Sequence, residues 1–505
     1  MDAVQYHSNQ TIGPIQSSNA RNDLIDTRAE HTAMELISVV IPAYNTGHLV
    51  SEAISSVLNQ SHRRVEVIVV DDGSTDNTQR VVSDLADKDP RVNYIYQENK
   101  GLGGARNTGI YRARGEYLAF LDADDLFLPG KLQKQAEALD ADPELGLVAG
   151  GHRVVDIDSG QALGERQPWH ERPSLALETW LVACPIVPGA VLMRSKWARR
   201  VNGFQILNPP GAEDRDMWLR LSHEGCRMAW TPEIVCAYRM HAGQMTRNGK
   251  KQSDSTLLAL DKFFSQPNLR PEAQAARDRA YADAYVSGAF RQYGSHQFDD
   301  ARGTLKRALE RLPHLMQSAD GELPPLAYTI VAWAMDPVNG DPATFTEQVL
   351  DNLPNTASGL TRYREELIGT AVCWATLDAL GVNNTALARR HLEMAVERVP
   401  TLSMYYEWLL NPMVDYVQTL PEAAQIRRAL QFFDVLPLDV PVLQTDQNKA
   451  LARLYLAQAF KANAAGARHE AFEAVRNGVR LDRSWLRNRG VISMLWKGWR
   501  TSKKA

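Results

Sequence analysis

Three aspartates, Asp122, Asp124 and Asp125, follow directly behind an apolar run. The run, residues 118–121, predicts a buried strand of a parallel sheet, and ligands of open α/β sheets bind beyond the carboxyl ends of such strands. Carboxylates this close repel one another, and a divalent cation such as Mg²⁺ or Mn²⁺ relieves the repulsion while it bridges to phosphate groups. Alternatively, the three acids form a turn or cap the helix that is predicted for residues 129–139.

The elements that must position these acids alternate between strand and helix. Apolar runs predict strands at residues 36–42, 65–70 and 92–96, and helical patterns lie between them and after the aspartates. This alternation, which continues to residue 139, predicts a doubly wound α/β sheet.

Two further side chains stand at predicted strand ends. Tyr44 offers a ring face on which a base can lie, and Asp72 can accept a hydrogen bond from a base N–H. Each has an ordinary alternative, because Tyr44 can simply pack and Asp72 can simply belong to a turn with Gly73. Their recurrence at successive strand ends favours a single nucleotide pocket.

A glycine-rich segment, residues 101–109, lies between the third predicted strand and the aspartates. Its glycines allow backbone N–H groups to approach an anion, and Arg106 supplies a planar cationic group for the same purpose. The segment does not follow a first strand and lacks the later acid that a dinucleotide-binding fingerprint requires. The alternative is a flexible loop that leads into a helix.

Four segments, residues 38–45, 70–76, 103–107 and 121–125, together resemble the motifs of a family 2 glycosyltransferase of the GT-A fold. The resemblance covers close to half of the chain. It implies an α/β domain with a mainly parallel sheet and helices on both faces. It also implies a nucleotide-sugar donor that is usually a UDP-sugar, a divalent Mn²⁺ or Mg²⁺ ion, and inversion at the anomeric carbon.

The family's donor-binding positions can be carried over to this sequence. The resemblance places Pro42, Tyr44 and Asp72 where the family holds the base. Asp122 falls on the position that contacts ribose and metal, and Asp124 falls on a metal position.

An inverting transfer also needs a base that takes the proton of the acceptor hydroxyl. Glu213 and Asp214 open a predicted helix behind a proline–glycine loop, and within the resemblance they fall on an acidic pair of the family. We expect Asp214 to be the base and Glu213 to bind the acceptor or orient the loop. The alternative is that both acids only stabilise the helix dipole. His241 follows a short apolar strand and is expected to complete the metal shell or contact phosphate, with a hydrogen-bonded surface histidine as the alternative.

After residue 249 the pattern becomes helical. Three segments that begin at residues 298, 385 and 467 align without gaps, and each resembles the second helix of a tetratricopeptide repeat. Their separations of 87 and 82 residues exceed the roughly 34 of a tandem array, so further repeats are expected between them. Stacked helical hairpins of this kind form either a docking surface for a protein partner or acceptor polymer, or a lid or dimer face.

Length and composition set the frame for these assignments. A chain of 505 residues holds two or three domains, and a net charge of −4 gives no overall attraction to nucleic acid. The four cysteines include no CxxC pair, which indicates free thiols in a reducing, cytoplasmic compartment. We divide the chain into a disordered tail (1–33), a GT-A domain (34–250), a helical domain (251–482) and a basic, tryptophan-rich tail (483–505).

The carboxyl-terminal tail combines basic residues with tryptophans. Residues 483–505 contain seven lysines and arginines, three tryptophans and no acid. This composition suits peripheral contact with an anionic leaflet, where lipid-linked acceptors reside. The alternative is a solvated tail that packs its tryptophans on the helical repeats.

These features favour an inverting, metal-dependent glycosyltransferase that extends a cell-surface polysaccharide or lipid-linked glycan from the cytoplasmic side. One competing hypothesis is a scaffold whose helical half recruits partners while the nucleotide-sugar fold has no turnover. The presence of Asp122, Asp124 and Asp214 speaks against it. The other is a sugar nucleotidyltransferase, and the absence of a glycine-rich phosphate loop after the first strand counts against that.

Overall fold

The computed structural model describes residues 35–502 apart from 242–243, 245–247, 319–321, 400–406 and 438–443. From residue 35 onward the chain forms one compact unit. The predicted disordered tail, residues 1–33, and the last three residues of the predicted basic tail lie outside the described residues.

A mixed sheet forms the core of the first half of the chain. Its strands in the described residues are β1 (Ile37–Ala43), β2 (Val65–Asp71), β3 (Val92–Tyr96), β4 (Tyr117–Phe120), β5 (Leu126–Phe127), β6 (Leu145–Asp156), β7 (Ala162–Arg166), β8 (Val191–Arg194) and β9 (Arg227–Met240). Hydrogen bonding places them in the order β3, β2, β1, β4, β8, β6, β9, β5, with β7 beside β6. Strand β1 pairs in parallel with β2 and with β4, and β2 pairs in parallel with β3. Strands β6 and β9 are also parallel.

The predicted α/β class with a GT-A arrangement is confirmed, and the first three predicted strands match β1, β2 and β3 to within one residue. The sheet is less parallel than expected, because β8 runs antiparallel to β4 and β6, and β7 runs antiparallel to β6. The link between β6 and β7 is a short turn. It permits only an antiparallel hairpin, since a parallel return needs a crossover of a dozen or more residues.

Helices cover both faces of this sheet, as expected. In the first half they are α1 (Val50–Leu58), α2 (Thr78–Ala86), α3 (Gly101–Arg112), α4 (Lys131–Ala141), α5 (Leu177–Val182), α6 (Ser195–Arg200) and α7 (Glu213–His223). Successive residues of β1 face opposite sides, because side chains alternate along a strand. Val40 packs in the cluster that includes α3 and α7, whereas Val39 and Ile41 pack in the cluster that includes α1 and α4.

The glycine-rich segment is helical from its first residue, since α3 begins at Gly101, so it is not the flexible loop of the alternative. Gly109 serves close packing instead. A β-carbon at this position would lie 2.2 Å from Val40 Cγ1 of β1. Helix α3 therefore approaches the sheet this closely only because position 109 has no side chain.

Replacing Gly109 by alanine is expected to lower the melting temperature, because the new methyl group overlaps Val40 in a filled core. Overpacking of this kind costs about 1–3 kcal/mol of unfolding free energy. Gly303→Ala is the matched control: position 303 also lies in a helix, but a β-carbon there meets no atom within 4 Å. Scanning calorimetry measures both variants, and equal melting temperatures would contradict the argument.

The second half is helical in the described residues. Its helices are α8 (Gly249–Phe264), α9 (Pro271–Ala275), α10 (Arg277–Gly294), α11 (Phe298–Arg311), α12 (Pro325–Ala334), α13 (Pro342–Asp351), α14 (Arg364–Gly381), α15 (Thr385–Arg398), α16 (Glu407–Thr419), α17 (Glu422–Val435), α18 (Gln444–Ala464), α19 (Arg468–Leu481) and α20 (Arg489–Ser502). The three aligned segments correspond to α11, α15 and α19. The pairs α12 with α13 and α16 with α17 lie between them, so each long interval contains an additional pair of packed helices.

The helical half packs against the sheet domain at separate places. Helix α8 lies on α7, and β7 lies on α14. At the second place Asn384 Nδ2 donates to the carbonyl oxygen of Ala162 at 2.9 Å. Arg166 of β7 forms ion pairs with Asp336 at 3.5 Å and Asp378 at 3.6 Å. These contacts fix the helical half relative to the sheet.

Candidate active site

A cavity of about 800 Å³ opens beyond the carboxyl ends of β1, β2 and β4. Every residue assigned to the site from the sequence lines this cavity: Pro42, Tyr44, Asp72, Arg106, Asp122, Asp124, Glu213, Asp214 and His241. Parallel neighbours end at the same edge of a sheet, which explains how β1, β2 and β4 bring their following residues together.

Strand β2 ends in two aspartates with different surroundings. Asp71 is fully buried, and its carboxylate accepts hydrogen bonds from Ser74 N and from the Tyr94 hydroxyl, both at 2.8 Å. Asp72 lines the cavity, and its Oδ1 accepts from Gln97 Nε2 at 2.6 Å. The turn alternative therefore describes Asp71, while Asp72 presents its carboxylate to the cavity.

Tyr44 stands at the rim of the cavity, with 53% of its surface exposed. The next residue, Asn45, has a left-handed backbone (φ 54°), and its Oδ1 accepts from Thr75 N at 2.8 Å. This contact ties the loop after β1 to the loop after β2. An exposed ring on a fixed loop suits stacking by a ligand better than packing in the core.

Arg106 lies buried beside Asp122. Its Nη2 donates to Asp122 Oδ1 at 2.6 Å, and its guanidinium group lies 5.3 Å from the ring centre of Phe204. Burial opposes the charge of Arg106, but the ion pair with Asp122 raises its pKa above the ordinary value. Arg106 therefore contributes a permanent positive charge to the cavity wall.

The other two aspartates behind β4 contact β9 and the residue after it. Asp124 Oδ2 lies 3.0 Å from His241 Nε2. Asp125 is buried and accepts from the backbone N–H of Arg239 at 2.9 Å, while Arg239 Nε donates to the carbonyl oxygen of Asp124. Burial and the neighbouring acids raise the pKa of Asp125 well above its usual value. Arg239 therefore fixes the side chain of Asp125 and the backbone of Asp124, and the Asp125 carboxylate bonds to β9 rather than within the turn of the alternative.

Asp124 and His241 offer donor types that divalent cations use. Mg²⁺ or Mn²⁺ commonly takes one or two protein ligands and completes its shell with water and phosphate oxygens. Asp122 is paired with Arg106, and across the described ranges no group of three or more His, Cys, Asp or Glu side chains is assembled as a metal site. The residues present therefore fit a cation that a bound diphosphate helps to hold.

The loop before α7 is held from two sides. Glu213 Oε2 accepts from Gly211 N at 2.9 Å, and Ser255 Oγ of α8 accepts from Ala212 N at 2.9 Å. The first bond belongs to the loop itself, and the second comes from the helical half. The orientation of the acidic pair at the start of α7 therefore depends on both halves of the chain.

Asp214 occupies the first turn of α7, and its Oδ2 lies 3.9 Å from Cys184 Sγ. Burial raises the pKa of Asp214 above its usual value, although the Arg215 N–H and the positive charge of Arg106 act in the opposite direction. Arg291 of α10 adds another positive charge that lowers the pKa of Asp214. The side chain thus has the environment of a carboxylate that can take a proton.

We expect the acid limb of the pH–rate profile to lie above the pKa of free aspartate. If Asp214 is the base expected from the sequence, it must be ionised for transfer, so the rate falls as the pH drops through its pKa, and the raised pKa moves that fall to higher pH. Arg291→Met removes a positive charge that lowers this pKa, so the limb should move further upward. Measuring kcat/KM across pH tests both shifts, and a limb that Arg291→Met leaves in place would contradict the argument.

Sequence reasoning missed several residues that shape the cavity. Gln97 had a usable signal, because it follows the third strand as Asp72 follows the second. Arg239 and Ser255 had none, since they lie within ordinary strand and helix patterns. They meet their partners across 114 and 43 residues of sequence, which only the folded chain shows.

Known proteins resemble the first half of the chain. The glycosyl transferase family 2 model matches residues 38–200. An uncharacterized glycosyltransferase of Rickettsia conorii is 34% identical over 239 residues, which are 46% of this chain and 38% of the relative. Another, from Nostoc sp., is 42% identical over 132 residues, which are 25% of this chain and 41% of the relative. The chain thus spans less than half the length of these relatives.

Solved structures show a weaker likeness. A mannosyltransferase from Pyrobaculum calidifontis in complex with GDP-Man and Mn²⁺ is 21% identical, with a TM-score of 0.43, over 66% of this chain and 88% of its own. Residues 1–349 of S. aureus TarS in complex with UDP-GlcNAc are 16% identical, with a TM-score of 0.44, over 65% and 92%. Since these scores are low, the assignment depends on the matched family and on the sheet order described above. Through residues 38–200, the chain therefore carries a segment that matches glycosyltransferase family 2.

Proposed function

We propose that the protein is an inverting, metal-dependent glycosyltransferase that moves a sugar from a nucleotide-sugar donor, in the first instance a UDP-sugar, to a hydroxyl group of a glycan or lipid-linked acceptor. One observation carries the proposal: a single cavity contains the pair Asp124 and His241 and, separately, the half-buried carboxylate of Asp214. Transfer needs a counter-charge for the leaving group and a base for the acceptor. Two separate sets of side chains supply these two needs.

In this proposal the nucleotide occupies the edge formed by the loops after β1 and β2. Tyr44 stacks on the base beside Pro42, and Asp72 accepts from a base N–H. Asp122 accepts from a ribose hydroxyl while Arg106 keeps its carboxylate in place. What supports this arrangement is that all five residues line one cavity.

The acidic wall of the cavity supports a cation as part of donor binding. Among the described residues that line the cavity, Arg106 supplies the single guanidinium group. Six carboxyl groups also line it: Asp72, Asp122, Asp124, Asp125, Glu213 and Asp214. Such a wall repels a diphosphate. A divalent cation held by Asp124 and His241 would neutralise the diphosphate as it leaves.

Asp214 then acts on the acceptor. It takes the hydroxyl proton as the acceptor oxygen forms a bond to the anomeric carbon. The bond from that carbon to the phosphate oxygen breaks on the opposite face, and its electron pair leaves with the nucleoside diphosphate. Attack from the face opposite the leaving group inverts the configuration of the sugar.

A panel of UDP-, GDP- and dTDP-sugars with Mn²⁺, read as nucleotide release, tests the proposal. We expect release from one donor class, and faster release when a glycan acceptor is present. No release from any donor, together with no donor binding in calorimetry, would contradict it. Donor binding without release would favour the scaffold, and pyrophosphate formation from a nucleoside triphosphate and a sugar 1-phosphate would favour the nucleotidyltransferase.

We place the acceptor at an anionic membrane surface. None of the described helices combines the length and hydropathy that a membrane crossing requires. Helix α20 instead exposes Ile492 and Trp496, by 47% and 54%, within a segment of seven basic residues and no acid. Flotation with anionic vesicles should therefore weaken in Ile492→Ser with Trp496→Ser, and not in the control Tyr328→Ser, whose ring is 48% exposed on α12.

A further inference from the structure

The helical half contributes directly to the cavity. Helix α8 packs on α7, and its residue Gln252 lines the cavity although it lies outside every motif of the sheet domain. Only 8% of Gln252 is exposed. The region that follows the transferase domain therefore forms part of the wall around the acidic pair.

The side-chain amide of Gln252 forms no hydrogen bond with any described residue. The amide is absent from the buried polar atoms that lack a partner, so it is accessible from the cavity, where a bound molecule or water can satisfy it. The amide has both a donor and an acceptor, and it carries no charge. Its position indicates a ligand that offers hydroxyl groups.

Gln252 lies beside the loop that leads to the acid pair. Its Nε2 is 2.9 Å from the point that a β-carbon at Gly211 would occupy, and Gly211 itself has φ +137°. One turn further along α8, Ser255 Oγ accepts from Ala212 N at 2.9 Å. Helix α8 thus holds the loop and presents the Gln252 amide next to it.

We propose that Gln252 binds the acceptor, and that the acceptor presents an uncharged sugar ring at this point. The inference rests on the proposed function, because it needs Asp214 to be the base that faces the acceptor. Two observations select an uncharged ring: the neutral amide suits hydroxyl groups, and Glu213 and Asp214 beside it repel an anionic acceptor. Gln252 is then an acceptor-binding residue supplied by the helical half.

The test separates transfer to sugar from transfer to water. Wild-type protein is assayed with its active donor and Mn²⁺ against p-nitrophenyl hexosides as acceptors, and donor hydrolysis is measured without them. Gln252→Ala should raise the acceptor KM about tenfold, the effect of one lost hydrogen bond, while hydrolysis and donor binding stay at the wild-type level. Gln252→Glu should weaken acceptor binding at least as much, because it adds a third acid beside Glu213 and Asp214.

Ser253→Ala is the matched control. Ser253 is the next residue on α8 and is buried, but its hydroxyl lies against Gly288 of α10 and not in the cavity. It should keep the wild-type acceptor KM. An unchanged KM in Gln252→Ala, an equal fall of hydrolysis and transfer, or the same loss in Ser253→Ala would overturn the inference while leaving the proposed function standing. Wild-type protein that releases no nucleotide from any donor overturns both.

Discussion

Asp214→Asn is expected to lose sugar transfer and to keep donor binding. Asparagine has nearly the same shape and can still accept from Arg215 N, which donates to Asp214 Oδ1 at 2.7 Å. It cannot take a proton from the acceptor. A positioned general base contributes about 10²–10⁴-fold, so kcat should fall by a factor in that range. Calorimetry with the donor and Mn²⁺ should show nearly wild-type affinity.

The control for this variant addresses the helix-dipole alternative. Asp299→Asn makes the same change in the first turn of α11, where the side chain is 96% exposed and has no assigned role. Loss of a dipole contribution alone would affect the two variants similarly and would appear as a small change in stability. Normal turnover by Asp214→Asn would rule out Asp214 as the base.

The strand-end residues were the part of the site that the sequence could place. A strand that is buried on both faces gives a continuous apolar run, and the residue after such a run lies at a known edge of the sheet. This reasoning placed Asp72 and Asp122 correctly in one cavity. Asp214 was assigned only through the family resemblance, because its position depends on how α7 docks.

Periodicity also predicted the helices of the second half, but it did not predict the contacts that these helices make. The starts of α11 and α15 follow from local patterns of apolar residues, and the structure has them at Phe298 and Thr385. Local patterns do not show which helix meets the sheet domain. The contribution of α8 to the cavity wall through Gln252, and to the loop before α7 through Ser255, therefore had no signal in the sequence.

Chelation with EDTA is expected to abolish transfer and weaken donor binding, and added Mn²⁺ should restore both. The reason is the acidic cavity wall, against which only Arg106 among the described lining residues carries a permanent positive charge. Asp124→Asn should lower kcat/KM by at least about 100-fold, since a cation supplies several kcal/mol and each 1.4 kcal/mol is tenfold in rate. The variant should also need more Mn²⁺ for half-maximal activity.

Asp142→Asn controls for the general effect of removing an acid, because Asp142 does not line the cavity; it forms an exposed ion pair with Arg227 at 3.1 Å and accepts from Glu144 N at 3.0 Å. It should keep the wild-type requirement for Mn²⁺. Donor binding that EDTA leaves unchanged would contradict the cation and would require Arg106 alone to hold the diphosphate. To hold the diphosphate alone, Arg106 would have to leave its 2.6 Å ion pair with Asp122. In that case Arg106→Lys would abolish donor binding in the presence of EDTA. If Mn²⁺ is needed instead, Arg106→Lys should weaken donor binding less than Asp124→Asn does, because Arg106 serves mainly to hold Asp122.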